Sequence, residues 1–492
     1  MVWTVFGLQT NSVWLSALLA LLDLAIRIVV LGVIPGNRRP TTAMAWLLCI
    51  FFLPYFGLIL FLMFGNFRLS RRRRETQDTV NQRILEGTKG IASLVPDYDG
   101  PAWVKSAIEL NETLGFFPAL GGNDVKLIEG YQESLDAMAD EISRATTYVN
   151  AEFYIMSADA STDRFFAELE AAAERGVRVR VLFDHIGSLR VPGYRDMVRR
   201  LKKSKIEWRR MLPLLPVKGQ WRRPDLRNHR KILVVDGRVG FTGSQNVIEP
   251  SYRRKHNHKL GRKWVELMSR FEGPIVGTLN VMFATDWSAE TAESLEAQLA
   301  SYHWDSFEGG VLCQVVPSGP GFVTENNLRL FNTLLYSAEE SITISSPYFV
   351  PDDSLLYAIT TAAQRGVEVE LFVSEVGDQF LVHHAQRSYY EALLRAGVHI
   401  FLYPRPLVLH AKHFTVDYDV AVIGSSNMDM RSFSLNLEVT VMMIDHGVVE
   451  QMHAVENHYR SLSRELRLDE WMARPMLARY VDNVARLTAT LQ

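Results

Sequence analysis

The chain has 492 residues, of which 48% are hydrophobic and 22% charged, with a net charge of -2. That length allows more than one domain, and the charge balance excludes a globally basic nucleic-acid binder, so any anion binding must be local. Two cysteines, Cys49 and Cys313, exclude a disulfide framework and a cysteine-rich zinc site.

Val13 to Ile34 is a long apolar run interrupted by Asp23 and Arg27. These two are four apart and can pair on one helix face. Ala43 to Phe64 is a second run without charge, in which Pro54 and Gly57 predict a kink. Each run has the roughly 20 residues that a bilayer span needs. The PGNRRPTT segment between them is too short for a domain, so residues 1–67 read as a transmembrane hairpin. The first run lacks a basic leader and the second is too long for a signal sequence, which argues against cleavage. Arg68 and Arg71 to Arg74 outnumber Arg38 and Arg39 in the connection, so the positive-inside rule puts the remainder of the chain in the cytoplasm. Residues 68–123 read as a polar linker with some helix.

An internal repeat follows. TYVNAEFYIM, FFAELEAAAERG and VRVRVLFD read strand, helix, strand; so do ITISSPYFV, LLYAITTAAQRG and VEVELFVS. Gly176 and Gly366 suit the ends of the two helices. The alternation predicts two α/β units, residues 124–298 and 299–492, divided near the acidic stretch Ala289 to Gln298. The segment from Arg199 to Lys231 is densely basic and embeds MLPLLPV between Trp208 and Trp221. That mixture predicts docking on anionic membrane lipids rather than on nucleic acid.

Each repeat continues to the same motif, H-x-K-x4-D-x6-G-S-x-N. The first copy is His229, Lys231, Asp236, Gly243, Ser244 and Asn246; the second is His410, Lys412, Asp417, Gly424, Ser425 and Asn427. KILVV and HFTV have strand composition. On a strand, His and Lys two apart share a face, while Arg230 and Ala411 point away. The two aspartates fall in the turns VDG and VDYD, which makes them structural anchors first and catalytic groups second. Glycine, serine and asparagine supply a close approach, a hydroxyl and an amide. Two such half-sites face to face suit a phosphodiester: one imidazole attacks phosphorus, the other protonates the leaving oxygen, and the lysines hold the anionic oxygens. No carboxylate cluster has metal-ligand spacing, so neither metal nor cofactor is expected.

On these motifs, and on PSGPG, SSPYFVPDD and SSNMDMRSFSLNLEV, the chain resembles the phospholipase D superfamily and, within it, the bacterial cardiolipin synthases. The resemblance implies a membrane-bound phosphatidyltransferase that uses phosphatidylglycerol, with a phosphohistidine intermediate on the first-half histidine. It also implies an acidic partner for each imidazole: Glu438 in SFSLNLEV, and Glu266 in RKWVELM for the first half. Two departures stand out, Gly243-Ser244 in place of two glycines and VIEPSY without an acid directly before the tyrosine. A hydrolytic phospholipase D, a phosphatidylserine synthase and a non-catalytic lipid-binding scaffold remain as alternatives.

Overall fold

The computed structural model describes residues 13–36, 38, 40–65, 79, 98–214, 223–291, 293–295, 298–299, 307–322 and 325–489. The chain divides into two compact units, Met1–Arg68 and Leu69–Gln492.

The first unit holds α1 (Val13–Val33), α2 (Pro40–Phe52) and α3 (Pro54–Phe64). Asp23 and Arg27 pair at 2.8 Å. The expected kink is a full break at Leu53, since Pro54 lacks the N–H and its ring crowds the preceding turn. Gly57 then rests on α2, where a Cβ would lie 2.8 Å from the Cys49 carbonyl oxygen. Val30, Ile34, Ala43 and Ile50 form a small core. Arg38 closes the unit by donating to the carbonyls of Ile34 (2.8 Å) and Gly65 (2.9 Å). Among the described residues no helix is long and apolar enough to cross a membrane. The arginines on which the orientation was argued, Arg39, Arg68 and Arg71 to Arg74, lie outside the described residues.

The second unit is built on strands β1 (Leu120–Ile128), β2 (Tyr148–Phe153), β3 (Arg178–Asp184), β4 (Glu207–Met211), β5 (Arg227–Asn228), β6 (Lys231–Val235), β7 (Val239–Gly243), β8 (Trp264–Val265), β9 (Met268–Glu272) and β10 (Val311–Ser318). They continue with β11 (Ser341–Ser345), β12 (Phe349–Val350), β13 (Glu368–Ser374), β14 (His399–Tyr403), β15 (Val408–Leu409), β16 (His413–Val416), β17 (Val420–Gly424), β18 (Met428–Asp429), β19 (Asn436–Ile444) and β20 (Arg464–Leu466). One sheet runs in the order β20, β14, β13, β11, β16, β17, β19, β10, β1, β9, β7, β6, β2, β3, β4. Outward from β1 and from β10 the two halves repeat the same arrangement. They join where β1 pairs antiparallel with β10, Leu120 opposite Cys313.

In each half a helix crosses between two parallel strands: Asp163–Glu174 between β2 and β3, Asp353–Gln364 between β11 and β13. Gly176 (φ +91°) and Gly366 (φ +98°) end these helices in the left-handed region that glycine enters freely. Within the segment read as a linker, the helix Ala102–Gly115 buries Val104 and Ala107 in the second half's core. Its Asn111 donates to the Gln314 side chain at 3.0 Å.

The motif aspartates sit at the far end of the strands that follow the histidines. Asp236 accepts from the backbone N–H groups of Thr146, Thr147 and Tyr148, each at 2.8 Å, and from the Thr146 hydroxyl at 2.9 Å. Asp417 does the same for Glu339 (3.0 Å), Glu340 (2.8 Å) and Ser341 (2.9 Å). Both adopt positive φ, 52° and 51°, which a short polar side chain tolerates. They tie the turn after the motif strand to the start of β2 or β11. The catalytic reading of these two aspartates is corrected accordingly: their carboxylates are engaged with the chain, not with the imidazoles. Asp236→Ala is expected to lower stability by about 1–2 kcal/mol, because it removes three backbone hydrogen bonds, of which the one from Tyr148 is half-buried and the other two are open to water. A urea midpoint equal to that of the parent protein would overturn this anchoring role.

Candidate active site

The H-x-K segments are not within regular strand, as the sequence suggested, but at switches between two pairings. β5 runs parallel to β19, Arg227 opposite Asn436 and Asn228 opposite Leu437, and the His229 N–H donates to the Leu437 carbonyl at 2.9 Å. The chain then turns back into its own half at Lys231, the first residue of β6. The second copy mirrors this. β15 runs parallel to β8, and the His410 N–H donates to the Val265 carbonyl at 2.7 Å before β16 begins at His413. Each histidine is therefore held by a strand of the opposite half.

Those borrowed strands carry the acidic partners. The Nδ1 of His229 lies 3.0 Å from both carboxylate oxygens of Glu438. The Nδ1 of His410 lies 2.8 and 2.9 Å from those of Glu266. The pairing is crossed, where the sequence reading placed each glutamate with its own half. A carboxylate at Nδ1 keeps the proton there and leaves Nε2 for chemistry. Ser425 donates to Glu438, and the Asn436 amide reaches it at 3.3 Å. On the other face of the motif, Arg230 is buried, bonded to Asp286 and to the Glu438 carbonyl at 3.1 Å. The second half has Ala411 there and needs no such pair.

Both lysines are buried. Lys231 donates to the His229 carbonyl at 2.5 Å and faces the Tyr154 ring at 5.6 Å. Lys412 donates to the His410 carbonyl at 2.7 Å, with its ammonium 3.2 Å from both ring nitrogens of His410. Loss of hydration lowers Lys231 to about 7, and Lys412 adds to this while the two glutamates oppose it. Lys412 falls to about 8 for the same leading reason. Burial lowers His229 to about 4, against the pull of Glu438 and with the push of Lys231 and Lys412. His410 is lowered too, by burial and then by Lys412 against the opposing Glu266. Each imidazole senses the lysine of the other half, so the two half-sites form one electrostatic unit.

The remaining motif residues build the walls. Ser244 accepts from the Leu267 N–H at 3.0 Å. Asn246 accepts from Ile155 N–H at 3.0 Å and donates to the Tyr252 hydroxyl at 2.8 Å. Asn427 donates to Asp429 at 3.1 Å, and its buried Oδ1 has no protein partner among the described residues. Gly243 and Gly424 pass so close to the glutamate strands that a Cβ would strike the carbonyls of Leu267 and Val439. Tyr154 and Tyr348, which the motif alone did not single out, stand edge-on to His229 and His410 with ring centres at 4.9 and 6.1 Å. Both lie just beyond the first strand of their repeat, β2 and β11, which was the signal available in the sequence. Much of the basic stretch is engaged internally. Arg200 pairs with Asp163 and Glu170, Lys205 with Glu174, Arg223 with Asp225 and Arg227 with Asp184. Trp221 and Arg222 lie outside the described residues. Among the described residues no group of three or more histidine, cysteine or acidic side chains could hold a metal ion.

Two imidazoles with fixed tautomers and two ammonium groups around one buried point can attack, protonate and hold a phosphodiester. The duplicated sheet and this site define a phospholipase D-like phosphotransferase. The chain belongs to the cardiolipin synthase family within that class: the family described as "Cardiolipin synthase, PLD-like domain" matches residues 138–274 and 331–460. Residues 17–66 match the family "Phospholipase_D-nuclease N-terminal". Cardiolipin synthase A of Serratia proteamaculans is 35% identical over 93% of this chain and 94% of its own length. Cardiolipin synthase A of Edwardsiella ictaluri is 34% identical over 94% and 95%. The crystal structure of phosphatidylserine synthase from Haemophilus influenzae matches 79% of this chain and 99% of its own, at 15% identity and a TM-score of 0.59, a likeness of fold. The chain is a phosphatidyltransferase.

The buried lysines set the alkaline behaviour. They hold anionic oxygens only while protonated, so kcat/KM is expected to fall as pH rises through about 7 to 8, where Lys231 and Lys412 lose their protons. His229 must be neutral to attack and limits activity toward pH 4, whereas the imidazole that serves as acid must be protonated, and the lowering of His410 by burial adds to the fall on the alkaline side. A kcat/KM that stays flat up to pH 10 would overturn this assignment.

Proposed function

We propose that this protein joins two phosphatidylglycerols into cardiolipin and releases glycerol, through a phosphatidyl-histidine. The observation that carries the proposal is the pair of crossed histidine–glutamate contacts, each with a buried lysine bonded to the histidine's carbonyl. Nε2 of His229 attacks phosphorus as the bond to the first glycerol oxygen breaks, and His410 gives that oxygen its proton. The glycerol hydroxyl of a second phosphatidylglycerol then attacks the adduct; its proton passes to His410 and the phosphorus–nitrogen bond breaks. The second step reverses the first, so no further residue is needed. Lys231 and Lys412 hold the non-bridging oxygens. Two-fold symmetry does not choose the nucleophile; the choice of His229 follows the resemblance to other members of the superfamily.

The roles separate in trapping experiments. With a phosphatidyl donor whose leaving group needs no proton, His410→Ala is expected to accumulate adduct on His229, and His229→Ala to form none. Mass spectrometry reads the site of attachment, and an adduct on His410 in the His229→Ala variant would reverse the assignment.

The first unit, residues 1–67 as read from the sequence, serves as a membrane hairpin that holds the catalytic unit against its lipid substrate at the cytoplasmic face of the inner membrane. Two observations support this. Large apolar side chains of α1 to α3 stand exposed, Phe52 at 81% and Leu62 at 72% among them, a patch far larger than water tolerates on a soluble surface. Their helices carry one charged pair, already neutralised internally. A reporter active only in the cytoplasm and fused after Gln492 is expected to be active. Activity of a periplasmic reporter at that position would overturn the orientation.

A further inference from the structure

The two halves diverge at one place beside the histidines. In the first half, Asp184 at the end of β3 accepts from the Asn228 N–H at 3.0 Å and pairs with Arg227 at 3.1 Å, both fully buried. By repeat position, Ser374 at the end of β13 replaces Asp184, and Val408 replaces Arg227. Ser374 keeps the backbone contact, accepting from Leu409 N–H at 2.8 Å, but the ion pair is gone. A narrow cleft opens in its place, lined among others by Tyr348, Ser374, Asp378, Gln379, His383 and Val408. Its enclosed space is about 10 Å³, room for one water-sized group.

The cleft reaches toward His410 through Tyr348, one of its lining residues. Tyr348 stands edge-on to that ring and donates to Asp378 at 2.9 to 3.0 Å. The Asp378 charge also reaches Lys412 and Tyr252, so it faces the site rather than bulk solvent alone. Asp378 lies in the loop after a parallel strand, where open α/β sheets bind their ligands. A carboxylate has no use for the phosphate, which it repels; it does accept hydrogen bonds from alcohols.

We infer that this cleft is the alcohol subsite of the transfer reaction, in which Asp378 and Tyr348 bind the second hydroxyl of a vicinal diol while the first reacts at His410. The inference rests on the proposed reaction. Because leaving and entering alcohols both exchange a proton with His410, one subsite serves both steps, and it selects polyol head groups over simple alcohols. In the transfer step the diol's reacting oxygen bonds to phosphorus, the phosphorus–His229 bond breaks, and the hydroxyl proton goes to His410.

Competition between acceptors tests it. Dioleoylphosphatidylglycerol in mixed micelles is offered deuterated glycerol, 1-propanol and ethanolamine together, and the phosphatidyl products are counted by mass spectrometry. The parent protein is expected to favour glycerol over 1-propanol. Asp378→Asn is expected to lower that ratio about ten- to hundredfold, the loss of a hydrogen bond to a charged group. The double variant Ser374→Asp/Val408→Arg, which rebuilds the first half's ion pair in the cleft, should lower it likewise. A ratio unchanged in both variants would overturn the subsite, and so would a parent preference for ethanolamine, since that marks an ammonium site. Phosphatidic acid as the sole product of the parent protein would instead overturn the transfer reaction beneath the inference.

Discussion

The structure depends on a reciprocal exchange: each motif histidine is held, backbone and ring, by a strand of the other half. Leu437 and Val265 receive the histidine N–H groups, and Glu438 and Glu266, one residue beyond in each case, receive the rings. A half on its own would leave a buried glutamate without its imidazole and a histidine without its orienting carboxylate. Buried charges without partners cost several kcal/mol each, so the halves are bound to one another by the same contacts that make the site.

That exchange explains why so little of the repeated motif touches the two imidazoles. Asp236 and Asp417 fasten the turns after the motif strands, and Gly243 and Gly424 let those strands close on the glutamate strands without a side chain between. The imidazoles and ammonium groups are the visible part of a longer specification, in which backbone donors and carbonyl clearances set where the rings stand. Burial then does the electrical work. It strips water from Lys231 and Lys412 and lowers the proton affinity of both rings, so an anionic phosphodiester entering the site favours protonation of the lysines and of the imidazole that serves as acid.

The two halves share architecture and differ in what lies behind each ring. The first is backed by ion pairs, Arg230 with Asp286 and Arg227 with Asp184. The second has Ala411 and Val408 at the corresponding positions and keeps a cleft beside Tyr348. A symmetric fold thereby carries asymmetric surroundings: ion pairs stand behind the first ring, and a cleft stands beside the second.

The repeated pattern in the sequence singled out the histidines, the lysines and the strand–helix–strand units, because those features are local: a period of two, a glycine after a helix, a spacing counted along one segment; the two glutamates came from the family resemblance. The pattern also marked the aspartates as turn residues before catalytic ones. Partnership across the halves was beyond it. Glu438 lies 209 residues from His229 and Glu266 lies 144 from His410, and each sits in the half whose own histidine is nearer in sequence, so proximity along the chain pointed to the wrong partner. The same holds for the His-x-Lys segments, whose strand-like composition hid a change of pairing, and for the helix Ala102–Gly115, whose linker-like polarity hid an apolar face buried in the second half. Residue type and spacing determined which groups the protein has for its chemistry. Only the folding of two sheets into one decided which of them meet, because hydrogen bonds between strands join segments without regard to their distance along the chain.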